Sequence, residues 1–273
     1  KPASGLPDCL ELDISNGGKL ETLLNRSQPG LIVNAAAYTD VDQAETDPET
    51  AFKVNSELPA RLAAWAKRND ALLIHYSTDY VFDGKADRPY LETDLPNPMG
   101  VYGDSKLAGE RALEETACKH TILRTSWVYS SHGKNFVLSM LELARKGVSL
   151  KVVDDQHGCP TWARNLALAS GAVIEAWHAS GADKCSGIFN YCDGRSLSWY
   201  DFAREIFDVA LREGLLNNPA VLTPVSSTEF PQVAKRPHWS VLDTSRITNF
   251  FNIQPADFEA SLKAVIDEVK KRA

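Results

Sequence analysis

The chain has 273 residues, enough for one large domain or two smaller ones, with a 44% hydrophobic and 24% charged composition typical of a globular protein. Its net charge of −7 (29 basic against 36 acidic residues), with no basic stripe or aromatic-basic interleaving, excludes nucleic acid as a partner. No apolar run approaches the roughly 20 residues of a membrane span, and no signal peptide is visible.

Residues 1–9 are polar, with Pro2 and Pro7, and read as an irregular lead-in. Leu10–Ile14 reads as a short strand end, and Leu20, Leu23 and Leu24 set a helical period over 18–26. Leu31-Ile-Val-Asn34 then enters Ala35-Ala-Ala37. Such an apolar run predicts a parallel strand buried on both faces. Asp47-Pro48 opens a helix to about Lys67, which Pro59 should kink or split.

Ala71–Tyr76 predicts the next strand, running out through Ser77, Thr78 and Asp79 into a polar loop. Helix 102–117, strand 120–125 and helix 136–146 follow. Alternation of strands with helices of ten or more residues is the pattern of βαβ units, an α/β doubly wound parallel sheet. Leu150–Val153 reads as a strand, 163–177 as a helix and Gly187–Tyr191 as a buried strand. Ser198 caps a helix with Asp201 at its third position. Residues 214–250 read as loops and short strands, and the last helix covers about 257–271. The expected division is 1–147 plus 161–192 for dinucleotide binding, and 148–160 plus 193–273 for a smaller substrate lobe.

The candidate chemistry centres on Thr78, Tyr102 and Lys106. Tyr and Lys four residues apart share one helix face. A fixed cation beside a phenol favours the phenolate, and the expectation is a Tyr102 pKa lowered by roughly three units. Thr78, at the strand end, is placed to hydrogen-bond the same reacting oxygen. Bare Tyr-x-x-x-Lys occurs by chance on amphipathic helices; the strand-loop-helix context gives it weight. Asp79 either contacts ligand or fixes a turn, and Trp127 either contacts ligand or fills core. Arg236 is a candidate phosphate clamp or an exposed loop residue. His75 and His157 read as core or loop histidines. Asp154 and Asp155 read as solvated loop residues rather than a metal pair. Five cysteines without paired spacing suit a reducing cytoplasm, and no metal-binding pattern appears.

Four stretches carry a family resemblance: Asn34-Ala-Ala-Ala-Tyr-Thr-Asp-Val-Asp42, Ser77-Thr-Asp-Tyr-Val-Phe-Asp-Gly84, Tyr102-Gly-Asp-Ser-Lys-Leu-Ala-Gly-Glu110 and Arg124-Thr-Ser-Trp-Val-Tyr129. With Asp155-Gln-His-Gly-Cys-Pro-Thr161 they resemble the dTDP-4-dehydrorhamnose reductases, extended short-chain dehydrogenases/reductases, over nearly the whole chain. The resemblance implies NADPH or NADH as cofactor and a dTDP-sugar as substrate, and leaves a homodimer open. It implies Tyr102 as proton donor, with Lys106 on the nicotinamide ribose and Thr78 on the carbonyl. Thr78, Asp79 and Trp127 resemble the family's substrate contacts. Asp13 and Ile14 resemble its adenine-side contacts, and Ala37, Tyr38 and Thr39 its loop along the cofactor. The alternatives on the same fold are a nucleotide-sugar epimerase or dehydratase and a non-catalytic regulatory homologue. The family's opening Gly-x-x-Gly-x-x-Gly turn, which supplies backbone N–H groups to a pyrophosphate, has no counterpart here. The expectation is that the sequence begins after roughly 25 residues of a longer protein, since a sheet without that central strand would carry a gap and a large exposed edge.

Overall fold

The computed structural model describes residues 10, 12–13, 17–180, 185–218, 220–230 and 232–272. Ile14 and most of the lead-in lie outside them. Residues 10, 12 and 13 are not in a strand.

Four parallel strands form the main sheet: β1 (Leu31–Asn34), β2 (Leu72–Thr78), β3 (Lys119–Thr125) and β4 (Gly187–Asn190), side by side in that order. Leu31 pairs with Leu72, Thr78 with Thr125, and Arg124 with Asn190. Side chains alternate across a strand, and the two central strands divide accordingly. Leu73 and Ile122 join a core with α1 (Gly17–Ser27), α4 (Leu58–Arg68) and Leu113 of α5 (Val101–Thr116). Leu72, Ile74, Leu123 and Phe189 pack on the opposite face against α7 (Ala163–Ser180) and Ile247 of α9 (Ser245–Phe251). Helices therefore cover both faces, as the alternating pattern predicts.

Among the described residues the four strands are contiguous, with no gap between them, and the sheet has an exposed edge at β1, where Val33 is 44% exposed; β1 is therefore not buried on both faces. The reason is topological: among the described residues only β2 pairs with it.

The segment between β1 and β2 holds α2 (Val41–Thr46), which the periodicity did not suggest, capped by Asp40 accepting from Gln43 N. Asp47 caps α3 (Pro48–Phe52), and a π-helical turn over Lys53–Glu57 leads into α4. Pro59 lacks the N–H that an α-helix would donate four residues back. The interruption expected there takes the form of this turn, with Leu58 N donating to Lys53 O.

A second core contains α6 (Phe136–Arg145), α8 (Trp199–Arg212) and α10 (Phe258–Lys270), centred on Phe202, Ile206 and Leu262. Its packing draws α6, part of the dinucleotide-binding half in the sequence reading, into the core of the other half. Ser198 caps α8 as expected and donates to Asp154 Oδ1 at 2.6 Å. Asp155 accepts from Ser227. The two neighbouring carboxylates thus anchor separate segments. Residues 214–250 contain α9 as well as loops and a short strand at Leu222–Val225.

Candidate active site

β2 delivers Thr78 and Asp79 to the carboxyl edge of the sheet, where ligand crevices form in open α/β folds. Thr78 caps a short 3₁₀ turn: its Oγ1 accepts from Tyr80 N and donates to Asp79 Oδ1 at 3.1 Å. α5 begins at Val101, whose N–H donates to Glu45 Oε1 of α2, a carboxylate at the positive end of a helix. That contact sets Tyr102 in the first turn and Lys106 one turn on. Close packing under this helix requires small residues. A Cβ on Gly103 would meet Tyr80 O, and one on Gly109 would meet Asn55 O.

Thr78, Asp79, Tyr102, Lys106 and Trp127 line one cleft of about 690 Å³, with Ala37 and Thr39 from the end of β1. Seven of the ten sequence-predicted positions thus come together. Tyr38 does not line it; its backbone is held on both sides by Asn55, which accepts from Tyr38 N and donates to Tyr38 O. Asp13 is exposed and does not line it either. Ile14 lies outside the described residues.

The electrostatics overturn one expectation. Tyr102 is pushed up to about 12, not down: burial of its hydroxyl dominates, Thr78 offsets part of the rise, and Asp79 adds to it. Lys106 does not offset that rise. Its Nζ donates to Tyr76 O of β2 at 2.6 Å, so its charge is directed at the strand backbone. Burial lowers Lys106 itself to about 8 against support from Glu110. The phenol therefore stays protonated at neutral pH, the state in which it can donate. Burial raises Asp79 to about 7, opposed by the Ser240 and Thr78 hydroxyls. His75 is buried and held far below its usual range by burial, Lys106 and His120. Neutral, it shares a 3.0 Å hydrogen bond with Asn34, a core histidine as expected.

Several positions that build or line the cleft were not evident beforehand. Asn55 is fully buried on the π turn and also donates to Ser105 Oγ, tying the β1 loop to α5. A polar residue in the middle of an apolar helix stripe was its available signal, and π turns recur at functional sites. Ser126, within the Arg124-Thr-Ser-Trp-Val-Tyr129 stretch, lines the cleft as well; Trp199 and Lys134 do so through tertiary packing, and no local pattern marks those two. Arg236 is partly buried, pairs with Asp42 at 3.0 Å, and also lines the cleft.

The cleft suits a dinucleotide at its β1 side. Only small side chains, Ala35 and Ala37, stand at the strand's end, and Ser77 Oγ is buried with no partner. Among the described residues no glycine-rich strand-to-helix turn faces it.

Residues 4–271 match the family described as RmlD substrate binding domain. A dTDP-4-dehydrorhamnose reductase of Aggregatibacter actinomycetemcomitans is 41% identical over 258 residues, covering 94% of this chain and 87% of the relative. Among solved structures, a dTDP-4-dehydrorhamnose reductase from Clostridium acetobutylicum superposes with a TM-score of 0.86 at 37% identity, over 95% of this chain and 88% of that one. Another, from Bacillus anthracis in complex with NADP, gives 0.84 at 32% identity, over 94% and 87%.

Proposed function

The chain belongs to the RmlD substrate binding domain family, and on that premise we propose that its cleft performs the reaction for which its relatives are named. It reduces the 4-keto group of dTDP-4-dehydrorhamnose to give dTDP-L-rhamnose. NADPH or NADH, when bound, supplies the hydride. The observation that carries this reading is the juxtaposition of Thr78, a protonated Tyr102 and Lys106 at the carboxyl edge of the sheet in one cleft.

The chain's residues divide the work. Thr78 turns its single O–H from Asp79 Oδ1 to the sugar's carbonyl oxygen, and Tyr102 gives its proton to that oxygen as the carbonyl carbon accepts hydride. A donor must be protonated beforehand, and a phenol at about 12 is. The resulting phenolate is the state that a nearby cation favours, so the Lys106 charge gains value as the proton leaves. Lys106 also has donors left for a ribose hydroxyl. Asp79 and Trp127 flank the sugar, Ala37 and Thr39 lie along the cofactor with Tyr38 between them, and Asp13 and Ile14 serve its adenine end.

Asp79 is followed by Tyr80, so the acidic pair of a 4,6-dehydratase is absent from this strand end. Among the described residues no helix is long and apolar enough to cross a membrane, and the described cysteines are buried and free, which suits work in the cytoplasm. The test is NADPH oxidation on addition of dTDP-4-dehydrorhamnose, with dTDP-L-rhamnose identified as product. Binding of both ligands without oxidation would refute the reading.

A further inference from the structure

Trp127 has φ +48°, a left-handed backbone that a bulky residue rarely adopts and keeps only where its surroundings impose it. Four contacts do so here. Thr161 N donates to Trp127 O at 3.3 Å, and the preceding Ser126 donates its hydroxyl to Cys159 O at 2.6 Å. A Cβ on Gly158 would stand 2.5 Å from Trp127 Cε2, so this neighbour must be glycine for the indole to sit where it does. The fourth contact is Trp199, whose ring stacks on Trp127 with centroids 3.5 Å apart and planes 9° apart.

Trp199 is itself firmly placed. It is the first residue of α8, directly after the capping Ser198, whose hydroxyl donates to Asp154. Phe136 lies against it at 4.6 Å between centroids. Both indoles are half-buried and both line the cleft, so the stack forms part of the ligand's wall.

We propose that Trp199 is a positioning residue for the reaction: its stack holds Trp127 in the left-handed conformation and thereby sets the face that Trp127 presents to the sugar. This rests on the reading that Trp127 contacts the sugar. Stacked aromatic pairs have an attraction beyond the area they bury. Without it, Trp127 relaxes toward ordinary backbone angles and its indole leaves the wall. Binding of the sugar then weakens while proton transfer from Tyr102, on another element, does not.

The experiment measures sugar and NADPH kinetics, thermal midpoint and the indole exciton signal in circular dichroism for Trp199→Ala, Trp199→Leu, Trp199→Phe, Trp127→Ala and the double alanine variant. The Leu variant keeps bulk without the stack if the Ala variant folds poorly. The expected result is loss of the exciton signal and an about tenfold higher KM for the sugar in the Ala and Leu variants. The KM for NADPH is unchanged, kcat stays within about twofold, and Phe restores most of the loss. The double variant is no worse than Trp127→Ala. A raised sugar KM in Trp127→Ala with none in Trp199→Leu overturns the positioning role alone. Additive losses in the double variant overturn it too. An unchanged sugar KM in Trp127→Ala removes the contact reading itself, and the proposal with it.

Discussion

Two cations are buried around α5, and they are buried differently. Arg124 of β3 is 1% exposed and meets Glu110, also 1% exposed, in a two-pronged pair with Nε–Oε1 at 2.9 Å and Nη2–Oε2 at 2.6 Å. Its guanidinium also lies 5.1 Å from the centre of the Phe82 ring. Lys106, one turn from Glu110 on the same helix, is 2% exposed and has only the Tyr76 carbonyl; it forms no ion pair among the described residues. A charge taken from water needs compensation. Arg124 is compensated by the fold and does not line the cleft. Lys106 is under-compensated, and its lowered pKa records the deficit. One is a fastening between sheet and helix; the other faces the cleft.

The contrast is sharpened most by the group that Lys106 serves. Tyr102→Phe removes a proton donor and little packing, so turnover should fall by about a thousandfold. The thermal midpoint and sugar binding should stay close to those of the parent. Equal turnover in steady-state assays would remove Tyr102 from the reaction. Glu110→Ala tests the fastened side. It strands Arg124 inside the protein, and denaturant titration should show a loss of about 3–5 kcal/mol. At a temperature where this variant stays folded, the KM for NADPH should be little changed.

Lys106→Met inverts that outcome. Burial depresses the Lys106 pKa from 10.5 to about 8, so the unfolded chain binds the extra proton between those values. Stability therefore rises with pH across that window. Below about pH 8 the buried ammonium costs the fold on the order of 3 kcal/mol. The Met variant should be more stable than the parent at pH 7, with the advantage shrinking toward pH 10.5, and should be nearly inactive. A parallel pair of stability-pH curves would mean that Lys106 carries no such cost.

The side of the cleft built by β2 and α5 was legible because its parts are local. A strand ending in Thr78 and a Tyr-Lys pair one turn apart are contiguous patterns, and βαβ geometry brings them together. The opposite wall was not. Trp199 reaches Trp127 across 72 residues through the packing of α8, and Gly158 matters only because an indole lies against it. The sign of the Tyr102 shift failed for a related reason. The spacing of Tyr and Lys sets which helix face they share, but not how deeply tertiary packing buries the phenol, which is the largest cause of its rise. α2 escaped notice because six residues carry too few turns to show a period, although Asp40 was an available cap signal.

Thr78 is the smallest lever on the same comparison. Its hydroxyl donates to Asp79 Oδ1, accepts from Tyr80 N, and offsets part of the rise at Tyr102. Thr78→Val keeps the shape and removes those hydrogen bonds. Turnover should fall about tenfold, one hydrogen bond's worth at the transition state, and stability by about 1 kcal/mol from the groups left behind. The phenol should rise further, so no rate gain appears on the alkaline side. Thr78→Ser returns the hydroxyl without the methyl and should recover most of the rate. Recovery of stability without rate would mean that Thr78 only caps its turn, and would leave Tyr102 as the sole donor to the carbonyl oxygen.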